Sequence, residues 1–233
     1  MGRQSPSVIR SSQKDIDAFI EQLAKAPALV TGGSGRLLFA LDATASRQPT
    51  WDHASHLQSD MFSTAAAIGD LQIQLCYFRG FGEFRHSRWF TDSTNLLQQM
   101  TQVQCAAGHT QIAKVLSHAL NETRKQPIQA VVFVGDCMEE RLDTLCNLAG
   151  QLGLLNTPLF LFQEGSDSAA ANAMRQMARL SGGAHLQFDQ RSADQLKALL
   201  TAVAIFATGG KKALEHFAQQ QGATILRLTQ QLK

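Results

Sequence analysis

Five oxygen-bearing side chains have the residue types and the spacing of a divalent-metal site. Asp42, Thr44 and Ser46 stand at alternate positions after an apolar run, and Thr110 and Asp136 follow far downstream. If the chain stays extended after the run, side chains at alternate positions point the same way and these three converge. Carboxylate and hydroxyl oxygens suit a hard cation such as Mg²⁺, whereas zinc and copper favour imidazole and thiolate. We therefore expect the five residues to hold Mg²⁺, with Mn²⁺ or Ca²⁺ as alternatives.

The triplet Asp42, Thr44 and Ser46 also has a simpler interpretation. Such side chains often cap a turn before a helix by accepting hydrogen bonds from backbone N–H groups. The triplet alone does not separate a cap from a metal site. The metal site is favoured because Thr110 is expected at a helix start and Asp136 follows a buried strand.

Predicted strands and helices alternate along the chain. Apolar or alternating runs predict strands at 36–41, 71–78, 83–90, 130–134, 158–162 and 185–188, of which the charged 83–90 suits an antiparallel edge strand. Helical spacing predicts helices at 13–26, 51–68, 95–102, 110–126, 141–151, 169–180 and 193–206. The alternation indicates an α/β fold with a doubly wound, mostly parallel sheet of six strands, one antiparallel edge strand and helices on both faces.

The 233 residues suffice for one α/β domain and its flanking segments. We expect a disordered polar tail at 1–12 and a domain at 13–206 that includes an N-terminal flanking helix. A helical extension at 207–233, with a short strand at 223–228, is expected to pack on or beside that domain.

The carboxyl ends of the predicted strands are the expected place for function. In an open α/β sheet, ligands bind there at the point where the strand order reverses. If strands 36–41 and 130–134 are neighbours at that point, Asp42 and Asp136 face each other across the crevice, and Thr110 completes the ring of ligands.

This set of residues resembles the von Willebrand factor A family, whose metal-ion-dependent adhesion site reads Asp-x-Ser-x-Ser, then Thr, then Asp. The Gly108-His109-Thr110 segment is similar to the family's Gly-x-Thr segment, and the likeness covers about residues 35–206. Thr44 stands where serine is usual, which keeps the hydroxyl and adds a methyl group. We expect metal binding to survive this change.

The resemblance implies a role for each candidate ligand. Thr44, Ser46 and Thr110 would offer hydroxyls, Thr110 directly or through water, while Asp42 and Asp136 would bind mainly through water. Neutral inner ligands leave the cation electrophilic, so it can accept an acidic residue of another protein. The expected function is therefore a non-catalytic protein–protein interaction module. The family's bacterial cytoplasmic members imply an ATPase or a multi-protein complex as the partner.

An enzyme is the alternative. Phosphohydrolases of the haloacid dehalogenase type also place an aspartate after a buried strand, and Gly135-Asp136 followed by Glu139 and Glu140 bears a loose likeness to their downstream motif. Asp42 would then be the nucleophile, with Mg²⁺ held by Asp42 and Asp136. The mechanism needs a lysine at the phosphate, for which Lys114 is the candidate.

Bulk composition restricts the partners and the compartment. The net charge is +2 and the charges are mixed, which gives no basis for a nucleic-acid or membrane partner. Residues 77–90 interleave aromatic and arginine side chains, a pattern that could bind single strands but better fits a hairpin with one buried face. No run approaches about 20 apolar residues and no secretory signal is evident, so we expect a cytoplasmic protein.

The cysteines and histidines do not form a sequence motif of their own. Cys76, Cys105, Cys137 and Cys146 are far apart and without a CxxC pair, which argues against zinc and against a disulfide scaffold. Cys76 is expected in the core, and Cys137 would be reactive only if its pKa were lowered by a metal or a helix start. His53 and His56 fit a solvated helix face, and His109 is expected at the rim of the crevice.

Overall fold

The computed structural model describes residues 12–27, 35–48, 71–188 and 193–220, and all structural statements concern these ranges. The predicted helix at 51–68, His53, His56, residues 1–11 of the predicted tail and the predicted strand at 223–228 lie outside them. Within the described ranges, no helix has the length and apolarity needed to cross a bilayer.

One six-stranded sheet forms the centre of the molecule. Its strands are β1 (Gly35–Asp42), β2 (Leu71–Arg79), β3 (Glu83–Phe90), β4 (Ala130–Gly135), β5 (Leu159–Glu164) and β6 (Ala184–Phe188). The strand order is β3-β2-β1-β4-β5-β6, and every neighbouring pair is parallel except β2 and β3. The predicted fold class, with its antiparallel edge strand, is confirmed.

Helices cover both faces of the sheet. They are α1 (Gln13–Lys25), α2 (Ser93–Thr101), α3 (Ile112–Lys125), α4 (Leu142–Leu154), α5 (Ser168–Ser181) and α6 (Ala193–Gln220). Side chains of Ser12, Asp92 and Asp167 cap α1, α2 and α5 by accepting backbone N–H bonds. Non-helical backbone at Gly209 and Gly210 breaks α6, so its first part runs slightly beyond the predicted end at 206.

Strand β1 is buried along its whole length because it lies between two apolar layers. Leu37, Phe39 and Leu41 pack with α1, α2 and α6 on one face. Leu38 and Ala40 pack with α3, α4 and α5 on the other. Alternate side chains of a strand point to opposite faces, so a strand between two helix layers must be apolar at nearly every position.

The β2–β3 hairpin forms one edge of the sheet. Its turn uses positive φ angles at Gly80 (60°) and Gly82 (104°), which glycine adopts without steric cost. Two arginines of the hairpin, Arg79 and Arg85, pair with Glu83, so its charges are at least partly paired within it. This agrees with the predicted hairpin with one wet face.

The strand order reverses between β1 and β4, which are parallel neighbours with Leu41 opposite Val134. The residues that follow these two positions therefore leave the sheet side by side. Asp42 and Asp136 are among them, and the sequence-based expectation that their strands meet at this point is confirmed.

Candidate metal centre

Asp42 and Asp136 lie together at the carboxyl end of the sheet. One carboxylate oxygen of each and the Cys137 Sγ lie within 4.8 Å of one another. Asp42 is 0% exposed, Asp136 is partly buried and Ser46 is exposed, so the group is open to solvent on the Ser46 and Asp136 side. The fold thus brings together two carboxylates that are far apart in the sequence.

Two oxygens of this carboxylate pair have no donor. Asp42 Oδ1 accepts a 2.8 Å hydrogen bond from Thr44 N. Asp42 Oδ2 and Asp136 Oδ1 are both buried, and within the described ranges neither has a hydrogen-bond partner. Burying a carboxylate oxygen without a hydrogen-bond donor costs free energy, and one such oxygen on each of two neighbouring carboxylates fits a cation bound between them.

Burial governs the ionisation of Asp42. It is the main cause that raises the Asp42 pKa to about 6, and the charge of the nearby Asp136 carboxylate acts in the same direction. Hydrogen bonds from Thr44 lower this pKa, and the positive charge of Arg47 also lowers it and is the weakest influence. A cation bound beside the two carboxylates would favour the ionised form and lower the Asp42 pKa.

Arg47 is a buried cation that the sequence analysis did not single out. Its side chain is 1% exposed, and its Nε lies 3.2 Å from Glu164 Oε2 at the end of β5. Much of its charge is therefore compensated by Glu164. The only sequence signal for this buried cation was its position directly after Ser46. That position does not predict an ion pair with a residue more than a hundred positions away.

The chain does not stay extended through Ser46, and that expectation is wrong. Thr44 is extended (φ −74°, ψ 161°), but Ala45–Arg47 form a 3₁₀ turn. The turn still brings the Thr44 and Ser46 hydroxyls to 3.1 Å from each other. Because Asp42 Oδ1 accepts the Thr44 N–H, the capping interpretation holds for one Asp42 oxygen, while the other remains available.

Thr110 is fixed to the loop that carries Asp136. Its N–H donates to Glu139 Oε2 and its Oγ1 accepts from Glu139 N, both at 3.0 Å. Helix α3 begins at Ile112, so Thr110 lies two residues before the helix rather than at its first turn. The Thr110 hydroxyl also interacts with the Glu140 carboxylate, which leaves a second lone pair on its oxygen for another partner.

Glu140 stabilises the start of α3, a role that the sequence analysis missed. Its carboxylate accepts hydrogen bonds from Ile112 N and, at 3.0 Å, from Ala113 N. Burial raises the pKa of this carboxyl, and the two backbone donors oppose that rise. A carboxylate at a helix N-terminus is favourable because the first N–H groups lack partners within the helix. The two acids after Asp136 were the only sequence signal.

The rim of the crevice presents an exposed aromatic ring. Phe81, in the β2–β3 turn, is 82% exposed, and its ring lies edge-on to the His109 ring with centroids 5.4 Å apart. A Cβ on Gly108 would come within 2.0 Å of Gly80 O, so the turn and the Thr110 segment are in close contact. His109 is exposed, and its Nδ1 is 3.3 Å from Glu139 Oε2.

The residues required by the phosphohydrolase alternative are engaged in other contacts. Lys114 Nζ donates to Gly82 O at 2.7 Å and to Gln111 Oε1 at 2.8 Å, which fixes its ammonium group at the hairpin turn. Asp42 has no exposed surface, whereas a nucleophile must reach the phosphorus atom.

Cys137 does not have the setting of a reactive thiol. Burial is the main cause that raises its pKa to about 12, and the Asp136 carboxylate contributes to this rise through its charge and through a hydrogen bond. The thiol is therefore protonated at neutral pH. Cys76 is buried, as expected.

Solved structures with the same architecture identify the fold. Similar structures include a von Willebrand factor type A protein from Catenulispora acidiphila (12% identity, TM-score 0.60, 75% of this chain and 44% of that one). Others are the SpRpn10 VWA domain (13%, 0.55, 77% and 98%) and the human COPII-coat protein Sec24c (9%, 0.55, 76% and 32%). The chain has a von Willebrand A-like fold. It spans less than half of the first protein, and no family model and no curated protein matches its sequence.

Proposed function

We propose that this von Willebrand A-like domain is a non-catalytic interaction module that binds a partner protein through a divalent cation. The cation is Mg²⁺, with Mn²⁺ or Ca²⁺ as alternatives, and its candidate ligands are Asp42, Thr44, Ser46, Thr110 and Asp136. The observation that carries the proposal is the pair of buried carboxylate oxygens, Asp42 Oδ2 and Asp136 Oδ1, without a donor in the described part of the chain.

The donor set fits a hard dication. Two carboxylates that converge at the end of the sheet carry the charge that balances one such ion. The hydroxyl of the buried Thr44 lies 3.1 Å from that of Ser46, which is exposed to solvent. A bound cation would supply a positive site there for an acidic side chain of the partner.

Residues of the crevice orient the donor groups without using up their oxygens. The Thr44 N–H holds Asp42 through Oδ1, while Oδ2 has no hydrogen-bond partner in the described ranges. Glu139 fixes the Thr110 backbone and hydroxyl from the loop that follows β4. Preorganised donors of this kind reduce the entropy lost when a ligand binds.

The rim supports a protein rather than a small molecule as the ligand. Phe81 projects almost fully into solvent, yet its turn is held by Gln111 and Lys114 side chains that donate to Arg79 O, Gly80 O and Gly82 O. A rigidly held, exposed aromatic side chain loses little entropy on contact and is typical of an interface anchor. We therefore include Phe81 in the partner-binding surface.

Calorimetric titration with Mg²⁺ and Mn²⁺ tests the metal site. We expect uptake of one ion by the wild type and none by Asp42→Ala, because that variant removes a carboxylate with an open oxygen. The exposed carboxylate variant Glu21→Gln is the matched control and is expected to bind as the wild type does. Absence of uptake by the wild type, or equal uptake by Asp42→Ala, contradicts the proposal.

Capture of the partner on immobilised protein, with Mg²⁺ or with chelator, tests the interaction. We expect a partner that is retained only with Mg²⁺, is lost with Asp42→Ala and binds more weakly to Phe81→Ala. Equal retention under both conditions would show that the cation is not part of the interface. Magnesium-dependent phosphoester hydrolysis that is abolished by Asp42→Asn would instead favour the enzyme.

A further inference from the structure

Cys137 Sγ belongs to the same group of atoms as the two carboxylates. It lies within 4.8 Å of one oxygen of Asp42 and one of Asp136. The wide spacing of the cysteines along the sequence argues against a zinc motif, but the fold brings one thiol to a site where two carboxylates already converge. Its chemistry differs from that of the five oxygen donors, because a sulfur ligand selects soft or borderline metals.

We propose that Cys137 is a ligand of this centre and makes it bind a thiophilic dication, Zn²⁺ or Cd²⁺, more tightly than Mg²⁺. The inference rests on the proposed function in one respect, since it concerns a cation in the same crevice. It goes further by naming an additional ligand and the class of metal that this ligand selects.

The three atoms can hold such an ion after a side-chain adjustment. Zinc–sulfur and zinc–oxygen bonds are about 2.3 and about 2.1 Å, so at the tetrahedral angle usual for zinc a sulfur and an oxygen ligand lie about 3.6 Å apart. The three candidate atoms lie within 4.8 Å of one another, so binding requires them to close by up to about 1.2 Å. Asp136 and Cys137 are only partly buried, which leaves room for that shift.

The carboxylates give evidence that is independent of the thiol. Asp42 is fully buried and its Oδ2 has no hydrogen-bond partner in the described ranges, so the carboxylate that lies within 4.8 Å of the thiol also holds an unsatisfied acceptor. On binding, the Cys137 S–H bond breaks, the sulfur lone pair forms the bond to the metal and the proton passes to solvent. No oxidant or reductant is required, because neither the sulfur nor the metal changes oxidation state.

Titration with Cd²⁺ tests the inference directly, because a cadmium–thiolate bond gives an ultraviolet charge-transfer band that oxygen ligands do not give. We expect a band that saturates at one equivalent in the wild type and is absent in Cys137→Ser. Cys146→Ser is the matched control, since Cys146 is a partly buried free thiol on α4, and it is expected to keep the band. Asp42→Asn is expected to weaken Cd²⁺ binding by about tenfold or more.

Competition with Mg²⁺ completes the experiment. We expect Cd²⁺ and Zn²⁺ to displace Mg²⁺ from the wild type, and Cys137→Ser to lose this preference while it still binds Mg²⁺. If the wild type takes up Mg²⁺ but shows no charge-transfer band when Cd²⁺ is added, the role of Cys137 is overturned and the proposed function stays intact. A band that persists in Cys137→Ser, or disappears in Cys146→Ser, would also overturn it. Circular dichroism of each variant verifies that it is folded.

Discussion

The two ends of strand β1 carry opposite charges on the same face, and their surroundings differ. Arg36 lies near its first residue and Asp42 is its last, with Leu38 and Ala40 between them on the face toward α3 and α4. Both charged side chains are almost completely buried. One end supplies several partners for its charge, whereas the other places a second carboxylate beside the first.

Near the start of β1, the Arg36 guanidinium contacts a backbone carbonyl, a carboxylate and an aromatic ring. Its guanidinium donates to Gln126 O at 2.6 Å, lies 3.6 Å from Glu122 Oε2 and stacks 3.7 Å from the centroid of the Trp89 ring. Trp89 Nε1 and Lys125 Nζ in turn donate to Glu122. Such a network ties β1, β3 and α3 together, so its role is structural.

The comparison separates a buried charge that stabilises the fold from one that is available for binding. Buried polar groups in folded proteins normally have partners, and an exception calls for an explanation. The terminal nitrogens of Arg36 are paired within the chain, and its Nε is the one atom of this network without an acceptor in the described ranges. Asp42 Oδ2 and Asp136 Oδ1 lack a donor in the described ranges, which is why the carboxyl end of the sheet is the candidate site.

Replacing Arg36, near the start of β1, should have the largest effect on stability. We expect Arg36→Met to lower the free energy of unfolding by about 3 kcal/mol or more, because it removes one of the two cations beside the buried Glu122 and the stacking contact with Trp89. Urea denaturation followed by circular dichroism measures the change. A loss below about 1 kcal/mol would mean that Lys125 and Trp89 alone compensate Glu122.

A second substitution controls for lost packing. Adding Glu122→Gln to Arg36→Met removes the uncompensated charge but keeps an acceptor for Trp89 Nε1. The double variant should therefore be more stable than Arg36→Met alone. If it is less stable, the cost of Arg36→Met comes from packing around Trp89 rather than from the charge on Glu122.

A steric change near the second end should have an intermediate effect. A Cβ on Gly108 would lie 2.0 Å from Gly80 O, so Gly108→Ala must push the Thr110 segment away from the hairpin turn. We expect a loss of about 2 kcal/mol, the usual range for overpacking. Metal uptake should weaken as well, because the same segment positions Thr110.

Gly150→Ala is the matched control for that substitution. Gly150 is in helix α4, and a Cβ there would meet nothing within 4 Å. Because alanine favours the helix, this variant should be as stable as the wild type or about 0.5–1 kcal/mol more stable. Equal effects of the two substitutions would remove the argument that the Gly80–Gly108 contact is tight.

Local pattern was sufficient to predict the fold and the convergence of the two aspartates. The apolar run of β4 and the alternation of β2 each predict a strand, and parallel strands place their carboxyl ends at one edge. Pairing Asp42 with Asp136 also required strands β1 and β4 to be neighbours, a condition that the structure meets. The pairing depends only on which strands are neighbours, and not on side-chain detail.

Contacts between distant segments could not be predicted in the same way. The Arg47–Glu164 ion pair, the Glu140 cap on α3 and the approach of Gly80 to Gly108 each join residues well separated in sequence. The 3₁₀ turn after Thr44 was missed because hydroxyl residues suit both a turn and an extended strand end. These features depend on how loops pack after the sheet has formed.

The smallest expected effect isolates the charge of Asp42 itself. Its folded-state pKa of about 6 lies above the ordinary aspartate value of 3.8. Between these two values the folded state binds more protons than the unfolded state, so the Asp42 contribution to stability falls as pH rises. Without metal, we therefore expect Asp42→Asn to be more stable than the wild type at pH 7, with an advantage about 1 kcal/mol smaller at pH 5.

The difference between the two proteins must be measured, because other groups titrate in the same range. Burial lowers the pKa of both His118 and His185 to about 4. Wild type and variant therefore both lose stability as pH falls below the ordinary histidine value, and this loss cancels in the subtraction. Urea denaturation with chelator, for both proteins at pH 5 and pH 7, gives the four free energies required. A stability difference between Asp42→Asn and the wild type that does not change with pH would contradict the raised pKa of Asp42.

Asp92→Asn is the matched control for the pH series. Asp92 caps α2, and the hydrogen bond from Thr94 N holds its pKa below the ordinary value, so its titration lies below pH 5. Its difference from the wild type should be constant between pH 5 and pH 7. Excess Mg²⁺ should then stabilise the wild type but not Asp42→Asn, by about 2.7 kcal/mol at a hundred times the dissociation constant. This would reverse the order of the two proteins at pH 7 if the missing partner of Asp42 is a cation.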